Sequence, residues 1–185
     1  MDKSTLQSIR ERSSHRKYLP QQLTEQQLAT IVQAALQAPS AVNAQPWHFS
    51  VVQDQNLLLR INQAAAKHAR KRPANTRSPR FDDDSFHIFY HAPTVVFISA
   101  RKTSYSQIDC GIAVQNMALA AEALGLGSVI LGLPREAFVE EDKAPLEQAL
   151  QFPEGYEYVI AIAIGTPDDE KKPHEMDKAK VSYIR

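Results

Sequence analysis

From Tyr105 to Leu124 the chain carries apolar or small residues on nearly every face of a helix. Ile108, Ile112, Val114, Met117, Leu119, Ala120, Ala121, Ala123 and Leu124 leave so little polar surface that this helix is central to the fold or to an oligomer. Gly125 follows as the residue that ends it. Asp109, Gln115 and Asn116 interrupt the apolar surface. Each is expected to bridge to another element, because a buried polar group without a partner costs roughly 1 to 3 kcal/mol. Cys110 is the single cysteine, so an internal disulfide or a cysteine zinc site is excluded, and its apolar neighbours predict a buried, inert thiol.

The rest of the chain must wrap this helix. Ser4 to Arg12 reads as a short helix with Leu6 and Ile9 on one face and Ser4 as N-cap. Thr24 and Gln27 form a capping box, and Leu23 and Leu28 stand at the positions of a hydrophobic staple. The helix they open carries Leu28, Ile31, Val32, Ala35 and Leu36 at helical spacing and must stop near Ala38, before Pro39. Another helix is expected from about Asn56 to Arg70, and a surface helix from Arg135 to Leu150. Strands are predicted at His48–Val52, Pro93–Ser99 and Tyr158–Gly165, with another between two turns within Gly125–Pro134 and a short one in Val181–Ile184. Helices and strands mixed without regular βαβ alternation give an α+β fold.

Two stretches carry residues suited to binding. Ala38 to Phe49 holds Pro39 and Pro46, which cannot share one regular element, with Ser40, Asn43 and Gln45 between them and Trp47 and Phe49 after them. A shaped loop of this kind, polar at its tip and anchored by aromatics, suits a flat heterocycle with hydrogen-bonding edges; a turn that merely caps its own backbone is the alternative. Arg12, Ser13, Ser14, His15, Arg16 and Lys17 crowd cations and hydroxyls at a helix exit, either as an anion site or as an exposed basic turn. Lys67 to Asp84 reads as a lid whose cations meet a nucleotide's phosphates or as a solvated loop of compensating charge. The glycines from Gly125 to Gly132 do not follow a phosphate-binding GxGxxG pattern, although Gly132 allows a planar ligand to approach the backbone closely.

At 185 residues the chain is expected to form one domain spanning positions 1–185. Lysine plus arginine and aspartate plus glutamate number 21 each, a balance that argues against nucleic-acid binding. No apolar run reaches membrane-spanning length and the N-terminus is not of signal-peptide type, so no membrane partner and a cytoplasmic location are expected. The charged tail from Thr166 to Arg185 is too polar for a core of its own and is expected to lie over another surface, conceivably a partner subunit's.

Pro39-Ser40-Ala41-Val42-Asn43-Ala44-Gln45-Pro46-Trp47 resembles the PS-x-x-N-x-QPW loop of the nitroreductase family of FMN-dependent oxidoreductases. Asp109 to Met117, followed by Gly125-Leu126-Gly127-Ser128, is similar to that family's central helix and the turn after it. The resemblance runs from Arg12 to the tail. It implies a mixed, mostly antiparallel sheet flanked by helices, and a homodimer with an extended C-terminal tail that holds FMN between its subunits. Arg12, Ser13, Ser14 and Arg16 then fall at the flavin contacts: Arg12 and Ser14 at phosphate or ribityl groups, Arg16 toward the pyrimidine edge. Ser13 stands where the family usually has Arg or His, which weakens one phosphate contact. Pro39, Ser40, Ala41, Asn43 and Gln45 would line the ring from the partner chain, and Ile130, Leu131 and Gly132 would pack on it. In the tail Lys172 and His174 match a basic pair near the phosphate, with Lys171 an alternative. The implied activity is hydride transfer from NAD(P)H through flavin to nitroaromatics, quinones or similar small acceptors in alternating half-reactions, with no catalytic side chain; the alternative is a non-catalytic flavin-binding or redox-sensing homodimer.

Overall fold

The computed structural model describes residues 3–185. Five helices and four strands are present among them: α1 (Thr5–Glu11), α2 (Glu25–Leu36), β1 (Trp47–Val52), α3 (Gln55–Lys71), β2 (Thr94–Arg101), α4 (Ser106–Ala123), β3 (Gly127–Leu131), α5 (Glu140–Ala149) and β4 (Tyr156–Gly165). The strands form one sheet in the order β1-β2-β4-β3, with every neighbouring pair antiparallel. The parallel component of the expected mixed sheet is reduced to one isolated bridge between Ser14 and Ser128.

Both faces of this sheet are covered, which explains why the β2 sequence is apolar without alternation. Val95 and Phe97 point into a core shared with Leu58, Ile61 and Ala65 of α3. Val96 and Ile98 point the other way, into a core with Ile31 and Ala35 of α2 and Cys110, Ala113 and Met117 of α4. Helix α2 begins as its sequence requires, with the Thr24 side chain accepting from Gln27 N and the Gln27 side chain returning to Thr24 N. Helix α4 ends at Gly125, which adopts φ 74°. Gly125 N donates to Glu122 O and Leu126 N to Ala121 O, turning the chain directly into β3.

Asp109 and Asn116 serve as the bridges expected of them. Asn116 Nδ2 donates to Ala34 O of α2 at 3.0 Å, and Asp109 Oδ1 accepts from Ala41 N at 3.1 Å. Gln115 is exposed and needs no internal partner. Cys110 is fully buried, and burial first, then the Asp109 carboxylate, pushes its thiol up to about 12, so it remains protonated near neutral pH.

Two expectations change, the Arg135–Leu150 helix and the Val181–Ile184 strand. Arg135–Leu150 is not one helix: a 3₁₀ turn at Leu133–Ala137 precedes α5. The break follows from Phe138, whose ring stacks on Tyr158 at 4.7 Å, while Glu140 restarts the chain at φ 50°. Leu6 and Ile9 do share a face of α1, but that face is 73% and 51% exposed and the buried residue is Ser8. Val181–Ile184 forms no strand, and Ile184 is 98% exposed. Residues 72–84 are folded on the body through the buried Phe81, with Arg70 paired to Asp84, Arg72 to Glu136 and Arg77 to Asp82.

The segment after that strap carries a pH-sensitive residue. His87 stacks on His91 at 4.4 Å, and its Nδ1 accepts from Phe89 N. Burial first, and the neighbouring His91 second, lower its pKa to about 4. A histidine whose folded pKa lies below the unfolded value holds full stability above about pH 6.5 and loses it as the pH falls toward 4. The urea midpoint of wild type should therefore drop more than that of His87→Phe between those two pH values. Parallel profiles would contradict this reading of His87.

Candidate functional site

The loop between α2 and β1 is held more rigidly than its prolines alone require. Val42, Asn43 and Gln45 adopt φ of 50°, 55° and 43°. This left-handed region is unfavourable for any side chain and most so for β-branched valine, at a cost of order 1 to 3 kcal/mol per residue. The conformation is fixed from several sides. Ser40 Oγ accepts from Gln45 N at 2.9 Å, Asn43 N donates to Ser40 O at 3.0 Å, and Arg101 Nη2 donates to Ala44 O at 2.8 Å. Gln45 Nε2 donates to Asn43 Oδ1 at 3.1 Å, which leaves the Asn43 amide nitrogen and the Gln45 amide oxygen facing outward on exposed residues. Trp47, buried to 7% and stacked on Phe49, anchors the C-terminal side. Val42 projects from the loop at 98% exposure.

The cationic segment lies elsewhere, along the free edge of β3. Besides the bridge of Ser14 to Ser128, His15 N donates to Ser128 O at 3.0 Å. Gly127 must be glycine here, since a β-carbon would come within 2.9 Å of both His15 Cγ and Pro167 Cβ. Ser13 Oγ donates to Lys172 O at 3.3 Å, bringing the tail beside the segment. Arg16 lies with its guanidinium 5.8 Å from the Tyr90 ring centre, in a cleft of about 440 Å³ shared with Lys17, Tyr18, His87 and His91. Arg12, Lys172 and His174 have no ion pair among the described residues, whereas Lys171 Nζ is 3.1 Å from Asp169. That difference separates the three tail candidates: Lys171 is already engaged, and Lys172 and His174 keep their side chains exposed.

At the far end of β3 the strand runs into Gly132. Leu131 is buried, and its carbonyl accepts from the Tyr158 hydroxyl at 2.9 Å, which fixes the strand end. Burial raises the pKa of that hydroxyl, so it remains a donor. Ile130 is 37% exposed, and beside Gly132 only Arg135 Nη2, at 3.8 Å, would meet a β-carbon. An apolar strand edge thus ends in accessible backbone. Ser128 and Gly132 are four residues apart, about 13 Å along an extended strand. Cations and hydroxyls at one end and open apolar backbone at the other suit an elongated ligand with an anionic tail and a planar head.

Within one protomer the two halves do not meet. The loop precedes β1 at one edge of the sheet and Gly132 follows β3 at the other, three strand spacings or about 14 Å apart. Arg12, Ser13, Ser14, Arg16, Ile130, Leu131, Gly132 and Lys172 cluster along β3, with His174 two residues further along the tail, while Pro39, Ser40, Ala41, Asn43 and Gln45 stand apart. The supports missed by sequence reasoning are Arg101, Tyr158 and Asp169. Each acts through a contact distant in the sequence.

A model of the nitroreductase family matches residues 9–166. An Archaeoglobus fulgidus protein named as an NADH dehydrogenase/NAD(P)H nitroreductase is 35% identical over 177 residues, covering 93% of this chain and 90% of its own length. The crystal structure of a nitroreductase with bound FMN from Desulfitobacterium hafniense superposes with a TM-score of 0.92 at 31% identity, covering all of both chains. A second, with bound FMN from Bacteroides fragilis, gives a TM-score of 0.91 at 25% identity over 99% of this chain and 100% of its own.

Proposed function

The chain belongs to the nitroreductase family, and from that membership we propose that it works as an FMN-dependent NAD(P)H oxidoreductase whose site closes between two copies of itself. The observation that carries this reading is the separation of the two half-sites: a cationic strand edge and an amide-bearing loop on opposite edges of one sheet. A second chain brings the loop of one protomer to the strand edge of the other. The apolar outer face of α4 supplies the contact. Ile108 and Ile112 are 60% and 36% exposed there, and Leu6, Ile9 and Leu36 are exposed on the helices packed against it. Gly111 lies on the same face with open space where a β-carbon would stand, although glycine inside a helix costs about 1 kcal/mol relative to alanine. Close approach of a second helix accounts for it.

In such a site FMN supplies the hydride-accepting and hydride-donating ring. Arg12, Ser14 and Lys172 would hold the phosphate and ribityl groups, with His174 beside them in the tail. Arg16 would lie toward the pyrimidine edge, where a cation would stabilise the negative charge of reduced flavin. Pro39, Ser40, Ala41, Asn43 and Gln45 of one chain face the ring, and Ile130 to Gly132 of the other pack against it. No side chain need move a proton to carbon, so the residues bind, orient and exclude water. Nitroaromatics, quinones or similar acceptors then take turns with NAD(P)H on one open face, in a ping-pong sequence. No helix among the described residues is long and apolar enough to cross a membrane, and we place the enzyme in the cytoplasm.

Anaerobic titration of the purified yellow protein with NADH and with NADPH tests this. Loss of the visible flavin band, its return on adding a quinone and parallel double-reciprocal plots are expected. A bound flavin that neither nicotinamide reduces would instead favour a non-catalytic flavoprotein.

A further inference from the structure

Asp169 has no role in the flavin site described so far, yet three donors converge on it. His15 Nδ1 lies 2.6 Å from Oδ1, and Arg16 N and Lys171 Nζ lie 3.2 and 3.1 Å from Oδ2. Side chains His15 and Asp169 are each 12% exposed, so the pair is largely shielded from water. Desolvation pushes the carboxyl upward, but the bonds from His15, Arg16 N and Lys171 outweigh it and hold its pKa below the ordinary value, so Asp169 is ionised at neutral pH.

The neighbours of this carboxylate are the groups assigned to the flavin phosphate. Ser14 and Arg16 flank His15, and Lys172 follows Lys171. The segment and the tail run side by side around it: Ser13 Oγ donates to Lys172 O, Asp168 N to Lys17 O and Leu19 N to Thr166 O. The His15 ring is wedged against Gly127, where no β-carbon would fit. Left alone, Arg12, Arg16, Lys171 and Lys172 would repel one another and stay mobile, and binding an anion would have to order them. One carboxylate neutralises part of that charge and fixes both backbones in advance.

We propose that Asp169, through His15, the Arg16 backbone and Lys171, is a positioning residue that assembles the phosphate end of the flavin site. This rests on the FMN reading above and adds to it a residue that touches no flavin atom. If positioning is its role, its loss should affect ligands according to whether they carry a phosphate. A purely structural staple would affect FMN and riboflavin alike. Conversely, a carboxylate that merely opposes the phosphate would weaken FMN, so that its removal would tighten binding.

The test loads full-length wild type, Asp169→Asn and Asp169→Glu with FMN or riboflavin and measures dissociation constants from flavin fluorescence on serial dilution, beside thermal midpoints. Asp169→Asn should loosen FMN by about 10- to 50-fold and riboflavin by less than about threefold, with Asp169→Glu recovering most of the FMN affinity. His15→Ala, which removes the bond from the other side, should shift the same ratio if Asp169→Asn does not fold. Equal losses for both flavins, or tighter FMN binding, would overturn the assignment. A wild type that holds neither flavin would overturn the FMN reading itself, and this one with it.

Discussion

Arg12→Ala is expected to weaken FMN binding by roughly 30-fold to nearly 1000-fold, the equivalent of about 2 to 4 kcal/mol for losing a charge-assisted contact to a phosphate. The thermal midpoint of the flavin-free protein should hardly move, because Arg12 has no ion pair among the described residues for the substitution to break. Riboflavin affinity should fall far less, since without the phosphate only a neutral ribityl contact is left for the substitution to remove. Equilibrium titration with the two flavins checks both points. Equal weakening of FMN and riboflavin would place Arg12 away from the anionic end.

The second large effect concerns assembly. Ile112 sits on the outer face of α4 beside Gly111, and Ile112→Glu places a carboxylate in the proposed contact between copies. In a two-fold symmetric interface the substitution occurs twice, so about 3 kcal/mol per buried, unpaired charge amounts to about 6 kcal/mol, or roughly 10⁴-fold in the dimer dissociation constant. Sedimentation should show a protomer, folded by circular dichroism, that fails to retain flavin. A variant that sediments as the dimer and stays yellow would move the contact off this face.

Residues 105–124 and 24–38 were the most legible parts of the chain, because their signals are local. A capping box, a glycine stop and helical periodicity are written within a few positions, and α2 and α4 follow them closely. The apolar run of β2 likewise announced a strand buried on both faces. The Arg135–Leu150 segment failed because its break depends on Phe138 meeting Tyr158 of β4, a contact that periodicity does not carry. Leu6 and Ile9 show a different limit, since a shared apolar face does not say whether it meets the protomer's own core or another copy. In the candidate site the loop was recognisable by its prolines and amides. Its three left-handed residues, and the hold of Asp109 and Arg101 on its backbone, depend on distant elements. The same is true of Asp169, whose partners His15 and Arg16 lie more than 150 positions away.

Each flavin site is proposed to take its phosphate end from one chain and its loop from the other, and the whole functional reading depends on that division. Co-expressing differently tagged Arg12→Ala and Asn43→Ala/Gln45→Ala chains, then purifying the mixed dimer through both tags, tests it directly. At a concentration where each variant homodimer is empty, the mixed dimer has both defects in one composite site and none in the other. One FMN per mixed dimer, reducible by NAD(P)H, is the predicted result. A mixed dimer as empty as its parents would mean that each site lies within a single chain, and would contradict the account.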